Sequence, residues 1–371
     1  MFKIPKKALF VIERLTRNGH EAYIVGGCVR DILLGKMPSD FDITTSAKPE
    51  EIISLFEKTI PTGIKHGTVT VIIENEPIEV TTFRTEGIYT DNRRPQSVEF
   101  VTDLREDLSR RDFTVNAMAY NENTGVIDYF GGKDDLKAKI LKAVGNPERR
   151  FTEDALRILR LFRFASTLNF GIEENTFNAA IKCSHLLENV SRERIFKELK
   201  KAVLGDNFKI FASLIECGVL KFLNITDSPD FDKIKTLKEY PLLCLYLSLG
   251  TNALLELKPS NEQKEYFKTL DILSEMSLPQ TETDIKEMLN IAGNEILNDF
   301  FALVGLDQSK LKSVIASGEP YSIAHLEING NDLINMGYKG KEIGKILDHL
   351  RKTVIKNPKK NTKENLLKEI P

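Results

Sequence analysis

The chain of 371 residues has no tryptophan, only four cysteines and a formal net charge of −2 at pH 7. The cysteines stand apart, without the close spacing of zinc ligands or of a disulfide framework, which is typical of reduced thiols in a cytoplasmic protein. The near-neutral charge argues against a protein that is basic over its whole surface. The distribution of charge, rather than its sum, therefore has to indicate the partners.

Long uncharged apolar runs are also missing, and the opening segment MFKIPKKALFVIERL carries charges throughout. We therefore expect neither a membrane-spanning helix nor a secretion signal, and we expect a cytoplasmic protein. Basic residues cluster at 93–94, 110–111, 149–150, 157–163 and 339–368. We interpret these clusters as one RNA-holding surface, although solvated helix faces give the same pattern.

Two kinds of pattern divide the chain. Over residues 1–145, short apolar runs bounded by turns predict strands at 22–25, 68–74, 77–83 and 126–130, and a further strand carries Asp40 and Asp42. The polar turn Asn75-Glu76 between two of these strands predicts a hairpin. From about residue 152 onward, apolar residues recur almost entirely at helical spacing. The simplest architecture is a small head containing a sheet, followed by a long helical part.

The most informative stretch is a glycine turn, Gly26-Gly27, followed by Asp40 and Asp42. Successive side chains of a strand point to opposite faces, so these two aspartates share a face. Two carboxylates beside a turn able to hold phosphate suit Mg²⁺-dependent nucleotide chemistry. Alternation also lets Glu79 join them from a neighbouring strand. Two solvated acids beside an ordinary turn would look the same, so the pair alone leaves both interpretations open.

A polar segment follows between Arg84 and Glu99, with no sustained periodicity. We predict a long mobile loop there. Such loops are uncommon inside compact domains and are often functional.

The segment 151–165 predicts one continuous amphipathic helix with Thr152 as its N-cap. Its polar half carries Asp154, Arg157, Arg160 and Arg163. An ordinary amphipathic helix with an i,i+4 ion pair between Glu153 and Arg157 explains the same pattern of residues.

A carboxylate beside a guanidinium on one helix face has a second interpretation. Asp154 can accept the amino proton of cytosine or adenine while Arg157 donates to the ring. Guanine and uracil place a carbonyl opposite the carboxylate, which costs roughly 1–3 kcal/mol. The pair would then select C and A without a nucleic-acid template.

Six motifs follow one another along the chain: GG…RD at 26–31, DxD at 40–42, EVTTFR at 79–84, RRDFTVNA at 110–117, DYFGG at 128–132 and EDxxR at 153–157. As an ordered set they resemble the class II tRNA nucleotidyltransferases, the CCA-adding enzymes of bacteria, and their relatives the bacterial poly(A) polymerases. The segments 328–334 and 340–344 resemble the family's tail. The region from 205 to 320 matches only in its helical character.

The resemblance implies an α+β fold. A small nucleotidyltransferase head of the polymerase beta type, with a mixed or antiparallel sheet, would occupy residues 1–145. An all-α neck at 146–205, body at 206–300 and tail at 301–371 would follow, with base recognition in the neck and tRNA binding in the tail.

The resemblance also implies the roles of the acids. Asp40 and Asp42 would hold Mg²⁺ at the catalytic centre, with Glu79 as a candidate third carboxylate. The tRNA 3′-hydroxyl would attack the α-phosphorus of CTP or ATP and release pyrophosphate. Gly27 would allow close backbone approach, and Arg30 would grip phosphate.

The remaining implied contacts are with the nucleotide. Arg111 would touch it, and Asp112 is a candidate for the ribose hydroxyl. Asp154 and Arg157 would be the protein template for the base. Arg160 and Arg163 would reach the triphosphate or the RNA.

Several activities share these motifs. Adding all of CCA is our first hypothesis. The loop between residues 84 and 99 looks full length, whereas CC-adding enzymes lack it, and a cell with one such protein needs the general enzyme instead of one that adds only A. A-adding-only and CC-adding-only enzymes are the alternatives, followed by a poly(A) polymerase and, from another class, an inactive RNA-binding module. The tRNA acceptor stem and elbow are the expected partners of the helical rear, with Lys352, Lys356, Lys359 and Lys360 as candidates. The sequence does not decide between a monomer and a homodimer.

Overall fold

The computed structural model describes residues 3–86, 98–225 and 229–370. The chain divides into two compact units, Met1–Phe231 and Asp232–Pro371. Within the described ranges, no helix is both long and apolar enough to cross a lipid bilayer. The finer division into head, neck, body and tail stays a prediction.

The first unit contains all eleven strands of the described residues. They are β1 Ala22–Val25, β2 Ile43–Thr45, β3 Thr59–Gly63, β4 Thr68–Ile73, β5 Glu76–Thr82, β6 Arg84–Glu86, β7 Val98–Phe100, β8 Met118–Asn121, β9 Gly125–Asp128, β10 Ile140–Leu141 and β11 Gly171–Ile172.

Ten α-helices of the described residues lie wholly in the first unit. They are α1 Lys6–Arg17, α2 Gly27–Leu33, α3 Pro49–Leu55, α4 Leu104–Ser109, α5 Gly132–Ala138, α6 Pro147–Glu153, α7 Leu156–Leu168, α8 Glu174–Lys182, α9 Arg192–Ala202 and α10 Phe208–Glu216.

A further helix begins at the boundary of the units and seven more follow it. They are α11 Phe231–Thr236, α12 Pro241–Glu256, α13 Asn261–Glu275, α14 Glu282–Val304, α15 Gln308–Ala316, α16 Gly330–Asn335, α17 Lys341–Lys356 and α18 Lys363–Lys368.

The main sheet of the first unit has seven strands in the order β3-β4-β5-β2-β1-β8-β9. Only β2 and β5 pair in parallel, with Ile43 opposite Val80, and every other neighbouring pair is antiparallel. The sheet is therefore mixed, as predicted. Tyr23, Val25 and Phe83 belong to a buried cluster that packs α4 against one of its faces.

The hairpin expected around residues 75–76 is present between β4 and β5. Glu74 and Asn75 both have positive φ, 49° and 67°, which is the backbone that a tight two-residue turn requires. Asparagine tolerates that conformation better than most residues, so the turn signal in the sequence has a physical basis.

Two expectations about extended segments need correction. The strand carrying the aspartates begins only at Ile43, although the carbonyl of Asp42 still accepts the N–H of Val25 at 3.0 Å. The predicted loop from Arg84 to Glu99 contains two short paired strands, β6 and β7, because the backbone of both ends can form a ladder. Residues 87–97, the centre of that loop, lie outside the described residues.

The helix predicted over residues 151–165 is two helices. It breaks at Asp154, whose φ of −137° and ψ of 102° are extended, so α6 ends there and α7 begins two residues later. Thr152 is inside α6 and donates to the carbonyl of Glu148 instead of capping a helix. The apolar period continues across the break, which is why the sequence alone suggests one helix.

The second unit is helical throughout its described residues. One of its cores joins α16, α17 and α18 through Leu333, Ile346, Leu350, Val354 and Leu366, all buried. Arg351, 5% exposed, is held in this unit by Glu287 and Asp348 at 2.6 and 2.8 Å.

Candidate active site

Asp40 and Asp42 line one open cleft of the first unit together with Glu79. The register of β2 with β5 sets Asp42 level with Glu79, one residue before the buried pair Ile43 and Val80. Enclosure by the cleft walls raises the pKa of Asp42, and the negative charges of Asp40 and Glu79 raise it further, while Arg111 opposes them. The sheet therefore concentrates negative charge at one point.

This donor set fits a divalent cation. Across residues 3–86, 98–225 and 229–370, no three His, Cys, Asp or Glu side chains form a group able to hold a metal by themselves. Mg²⁺ is commonly held by one or two carboxylates, with water and substrate phosphate oxygens completing its ligands. Asp40 and Asp42 suit that mode, and a third ligand role for Glu79 stays a prediction.

The glycine turn brings backbone close to a partly exposed arginine, Arg111. Gly26 has a φ of 84°, and a Cβ added there would lie 2.8 Å from Nη1 of Arg111. Arg111 also lies 3.6 Å from Asp107, whose charge compensates part of its desolvation. Gly26, one residue before the predicted Gly27, is thus the turn position at which a side chain would be strained and would displace the end of Arg111.

Asp107 is fully buried and organises the start of the arginine motif. It accepts two hydrogen bonds from Arg110, at 2.8 and 3.0 Å, and one from Thr44 at 3.2 Å. Burial alone would raise the pKa of Asp107, but the charges of Arg110 and Arg111 outweigh it and the pKa is lowered. The acid therefore stays ionised beneath the site.

A second network connects Arg30 to Arg160. Arg30 pairs with Asp31 at 2.7 Å and donates to Asn116 at 2.7 Å. Asn116 donates in turn to Asp112 at 3.1 Å, and Arg160 donates to the other oxygen of Asp112. The network fixes two arginines that are 86 and 48 residues from their partners in sequence.

Three guanidinium groups surround the ring of Phe164. Those of Arg30, Arg160 and Arg163 lie 5.1, 5.2 and 4.1 Å from its centroid, within the range of cation–π attraction. Phe113 packs edge-on against the same ring, with centroids 6.0 Å apart. Three arginines that the family resemblance predicts to contact phosphate or RNA therefore lie around one aromatic ring.

The two proposed base-reading residues lie at the break between α6 and α7: Asp154 forms the break, and Arg157 is in the first turn of α7. Arg157 is 8% exposed and donates to Glu153 at 2.9 Å and to the carbonyls of Arg150 and Arg110 at 3.1 and 2.8 Å. The i,i+4 pair with Glu153, our plainer interpretation, is therefore present. It holds the guanidinium in one orientation, which a base-reading donor also requires.

Asp154 has different partners. One of its oxygens accepts the N–H of Leu156 at 3.1 Å and the other pairs with Arg194 on α9, also at 3.1 Å. The chain turns extended at Asp154, so its carboxylate stands at the joint of two helices instead of on the face of one. Arg163, farther along α7, pairs with Glu198 at 3.0 Å.

Comparisons with known proteins agree with this architecture. Residues 22–142 match the model of the poly A polymerase head domain, and residues 169–233 match a probable RNA- and SrmB-binding site of polymerase A. A CCA-adding enzyme of Lactococcus lactis subsp. cremoris is 41% identical over 97% of this chain and 94% of the relative. The chain belongs to the family of CCA-adding enzymes.

Solved structures of the family resemble this one along its length. The CCA-adding enzyme of Bacillus stearothermophilus, crystallised with CTP, is 32% identical with a TM-score of 0.79, covering 97% of this chain and 94% of that one. A tRNA nucleotidyltransferase complexed with a primer tRNA and an incoming ATP analogue is 26% identical with a TM-score of 0.63, covering 83% and 97%. The chain is therefore a nucleotidyltransferase, and the resemblance and the fold class predicted from its motifs are confirmed.

Sequence reasoning missed four residues of the site. Asp107 stands three and four residues before Arg110 and Arg111, an ion-pair spacing that points to it in hindsight. Phe164 follows Arg160 by four residues, so helical spacing also marks it. Asn116 lies within a quoted motif, whereas Arg194 is 40 residues from Asp154 and carries no local signal.

Proposed function

We propose that this member of the CCA-adding enzymes adds C, C and A to the 3′ end of tRNA, taking the nucleotides from CTP and ATP without a nucleic-acid template and releasing pyrophosphate. The observation that carries the proposal is the coexistence of an acidic cleft at Asp40 and Asp42 with an Asp154/Arg157 pair at a helix break. The acidic cleft would support nucleotidyl transfer, and the Asp154/Arg157 pair would select the base. The relatives named above bind CTP, an ATP analogue and tRNA.

Asp40 and Asp42 would hold Mg²⁺, the divalent ion we favour for hard oxygen ligands beside phosphate. When bound, such ions supply charge stabilisation at the reacting phosphate and make the attacking hydroxyl more acidic. The chain itself would position the nucleotide. Arg111 and Arg30 reach the glycine turn, 2.8 and 3.6 Å from a Cβ added at Gly26 and Gly27. Arg160 is joined to Arg30 through Asp112 and Asn116, and all three arginines are proposed phosphate-binding groups. Arg163 is buried against Glu198, so its proposed reach to the triphosphate or RNA requires that pair to open.

The base would be chosen by hydrogen-bond polarity. Asp154 is acceptor-only, so it suits the amino group of cytosine or adenine. Arg157, fixed by three carbonyl or carboxylate partners, donates to the ring. A carbonyl of uracil or guanine opposite Asp154 would leave two acceptors facing each other, which costs roughly 1–3 kcal/mol, or about tenfold to a hundredfold in selectivity.

The helices toward the C-terminus would bind substrate RNA through shape and phosphate contacts, because the deep groove of an A-form stem offers few readable base edges. The acceptor stem and elbow are the proposed contact, with Lys352, Lys356, Lys359 and Lys360 as candidates. Lys352 and Lys360 pair with Asp348 and Glu369, so Lys356 and Lys359 are the better candidates for phosphate contacts.

The four free thiols fit a cytoplasmic location, which stays a prediction. The choice between monomer and homodimer also stays open.

The competing activities differ in their products. An A-adding enzyme would leave tRNA that lacks CCA untouched, and a CC-adding enzyme would stop before the final A. A poly(A) polymerase would extend arbitrary RNA. The loop argument against CC-only addition rests mostly on residues outside the described ranges, so the assay has to make this distinction.

The deciding experiment supplies purified protein with tRNA ending before CCA, or ending in CC, and with labelled CTP, ATP, UTP or GTP plus Mg²⁺. We expect ordered addition that stops after CCA. Long A tails on unrelated RNA, or no incorporation at all, would replace the proposal with a poly(A) polymerase or an inactive RNA-binding module. Arg157→Ala should then lower both the rate and the preference for CTP over UTP. An unchanged preference would place base recognition elsewhere.

A further inference from the structure

We propose that Arg194, on α9, is a positioning residue for base selection that acts by holding the carboxylate of Asp154. This inference rests on the proposed function, since it assigns a task to a residue of the same site. Nη2 of Arg194 lies 3.1 Å from Oδ2 of Asp154, and both side chains are largely shielded, with 27% and 20% exposed.

The bond completes the constraint on Asp154. Its Oδ1 already accepts the N–H of Leu156 at the first turn of α7, so Arg194 fixes the second oxygen and thereby the plane of the carboxylate. A carboxylate has about four acceptor sites, and two remain for an incoming amino group. Without Arg194 the side chain keeps one anchor and can rotate.

Such a rotation matters because of where Asp154 stands. It lies in extended backbone between α6 and α7, so no helix fixes its direction. Arg194 comes from a third helix, and it ties the joint to α9. A second ion pair joins α9 to α7: Glu198, one turn after Arg194, pairs with Arg163 at 3.0 Å.

The other end of the Arg194 guanidinium is available to a ligand, as is Nη1 of Arg192 on the same helix. Nη1 of Arg194 is buried and has no hydrogen-bond partner in the described part of the chain. A buried charged donor without an acceptor is unfavourable, so proteins rarely retain one. An acceptor that arrives with the substrate would satisfy this donor while Nη2 continues to hold Asp154.

The test uses the full-length protein and four variants: Arg194→Met, Arg194→Lys, Asp154→Asn and the double variant R194M/D154N. For each, kcat and KM are measured for CTP and UTP on tRNA ending before CCA, and for ATP and GTP on tRNA ending in CC. R194M should reduce the CTP-over-UTP and ATP-over-GTP preferences by about tenfold or more. R194K should recover part of the loss, because it keeps the charge but only a single point contact.

The double variant separates positioning from a general effect. If Arg194 acts through Asp154, adding R194M to D154N changes neither preference further. An equal loss of preference in both backgrounds, or a uniform loss of rate for all four nucleotides with unchanged preferences, would overturn the proposal. Lys197→Gln, which removes an exposed positive charge from the same helix, controls for net charge and should leave both preferences unchanged.

Two checks keep failures distinguishable. Circular dichroism and the thermal midpoint show whether R194M folds, and Arg194→Gln replaces it if it does not. Wild-type protein that fails to add CCA, or that shows no preference for CTP and ATP, overturns the proposed function itself. Wild-type selectivity that R194M leaves intact overturns only the role of Arg194.

Discussion

Arg160 donates two hydrogen bonds to a single oxygen of Asp112, with Nε at 2.8 Å and Nη2 at 2.6 Å from Oδ2. The other oxygen accepts the N–H of Phe113 at 2.8 Å and Nδ2 of Asn116 at 3.1 Å. Four donors occupy about all the acceptor sites of a carboxylate. A ribose hydroxyl can therefore bind Asp112 only by displacing one of them, and Arg160, the one partner at a partly exposed position, is the natural one to move.

The stability of the protein should fall in acid through Asp112. Burial alone would raise its pKa, but Arg160 and Asn116 outweigh burial and lower the pKa from 3.8 to about 2. The stabilisation is thus essentially complete above about pH 5 and is lost as the pH falls through about 2. It amounts to about 2 kcal/mol, of which roughly half is lost by pH 3.

Urea unfolding of wild type and Asp112→Asn at pH 7 and pH 3 measures this effect. The difference in unfolding free energy between the two proteins should be smaller at pH 3. Asp134→Asn, an exposed change on α5, is the control: its difference in unfolding free energy from wild type should be the same at pH 7 and pH 3. A difference that stays constant with pH would mean that Asp112 is not ionised through this network.

Gly26→Ala should impair nucleotide binding as well as strain the backbone. The residue has a φ of 84° and its new Cβ would meet Arg111 at 2.8 Å. We expect a loss of about 1 kcal/mol or more in stability and a raised KM for CTP, because Arg111 has to move. Gly35→Ala is the matched control, since Gly35 has a φ of 72° with nothing within 4 Å. It should lower the thermal midpoint and leave the KM unchanged; equal KM values in the two variants would remove Arg111 from nucleotide binding.

Asp42→Asn should abolish most of the activity. Loss of one carboxylate from the proposed cation site removes several kcal/mol of transition-state stabilisation, so we expect kcat to fall by at least about a hundredfold. Glu76→Gln, an acid lining the same cleft and paired with Lys7, should have little effect. Glu79→Gln decides the open question about the third carboxylate. A fall in kcat as large as that of Asp42→Asn would make Glu79 a ligand of the cation. A kcat as little changed as that of Glu76→Gln would show that it is not.

Phe164→Leu should weaken nucleotide binding without unfolding the protein. The three guanidinium groups around the ring would each lose an attraction of about 0.5–1 kcal/mol and would separate. We expect the KM for CTP and ATP to rise about threefold to tenfold, with the preference between bases retained. Phe177→Leu removes a half-buried ring that packs on Phe162 instead, so it controls for lost packing. Equal KM values in the two variants would contradict a role for Phe164.

The sequence predicted local structure well where chain neighbours decide it. β1 begins and ends where expected, at Ala22 and Val25, and the β4–β5 hairpin turns at the expected asparagine. β3 and β8 were not expected, because the short segments that form them have little alternation and gain their stability from partners across the sheet. The break at Asp154 was missed for a related reason, since hydrophobic periodicity reports the buried face and not the backbone between two helices.

The candidate site follows the same division. The aspartates and arginines were found because motifs keep them close in sequence. Three of their partners were not. Asp107 and Asn116 have local partners that spacing marks, but their bonds to Thr44 and Arg30 join segments 63 and 86 residues apart. Arg194 meets Asp154 only because α9 packs beside the joint of α6 and α7. A single sequence reports which charges exist, whereas the pairing of those charges is a property of the fold.

The arginines gathered at Phe164 already have acidic companions: Arg30 holds Asp31, Arg160 holds Asp112 and Arg163 holds Glu198. A polyphosphate bound at these arginines, as we propose, would exchange ligands with the protein instead of filling an open positive surface. Each carboxylate acts as an internal competitor, so a small anion such as inorganic phosphate gains little by binding there. Only a ligand that engages several of these arginines together would displace their partners, and the proposed site would thereby discriminate against simple anions.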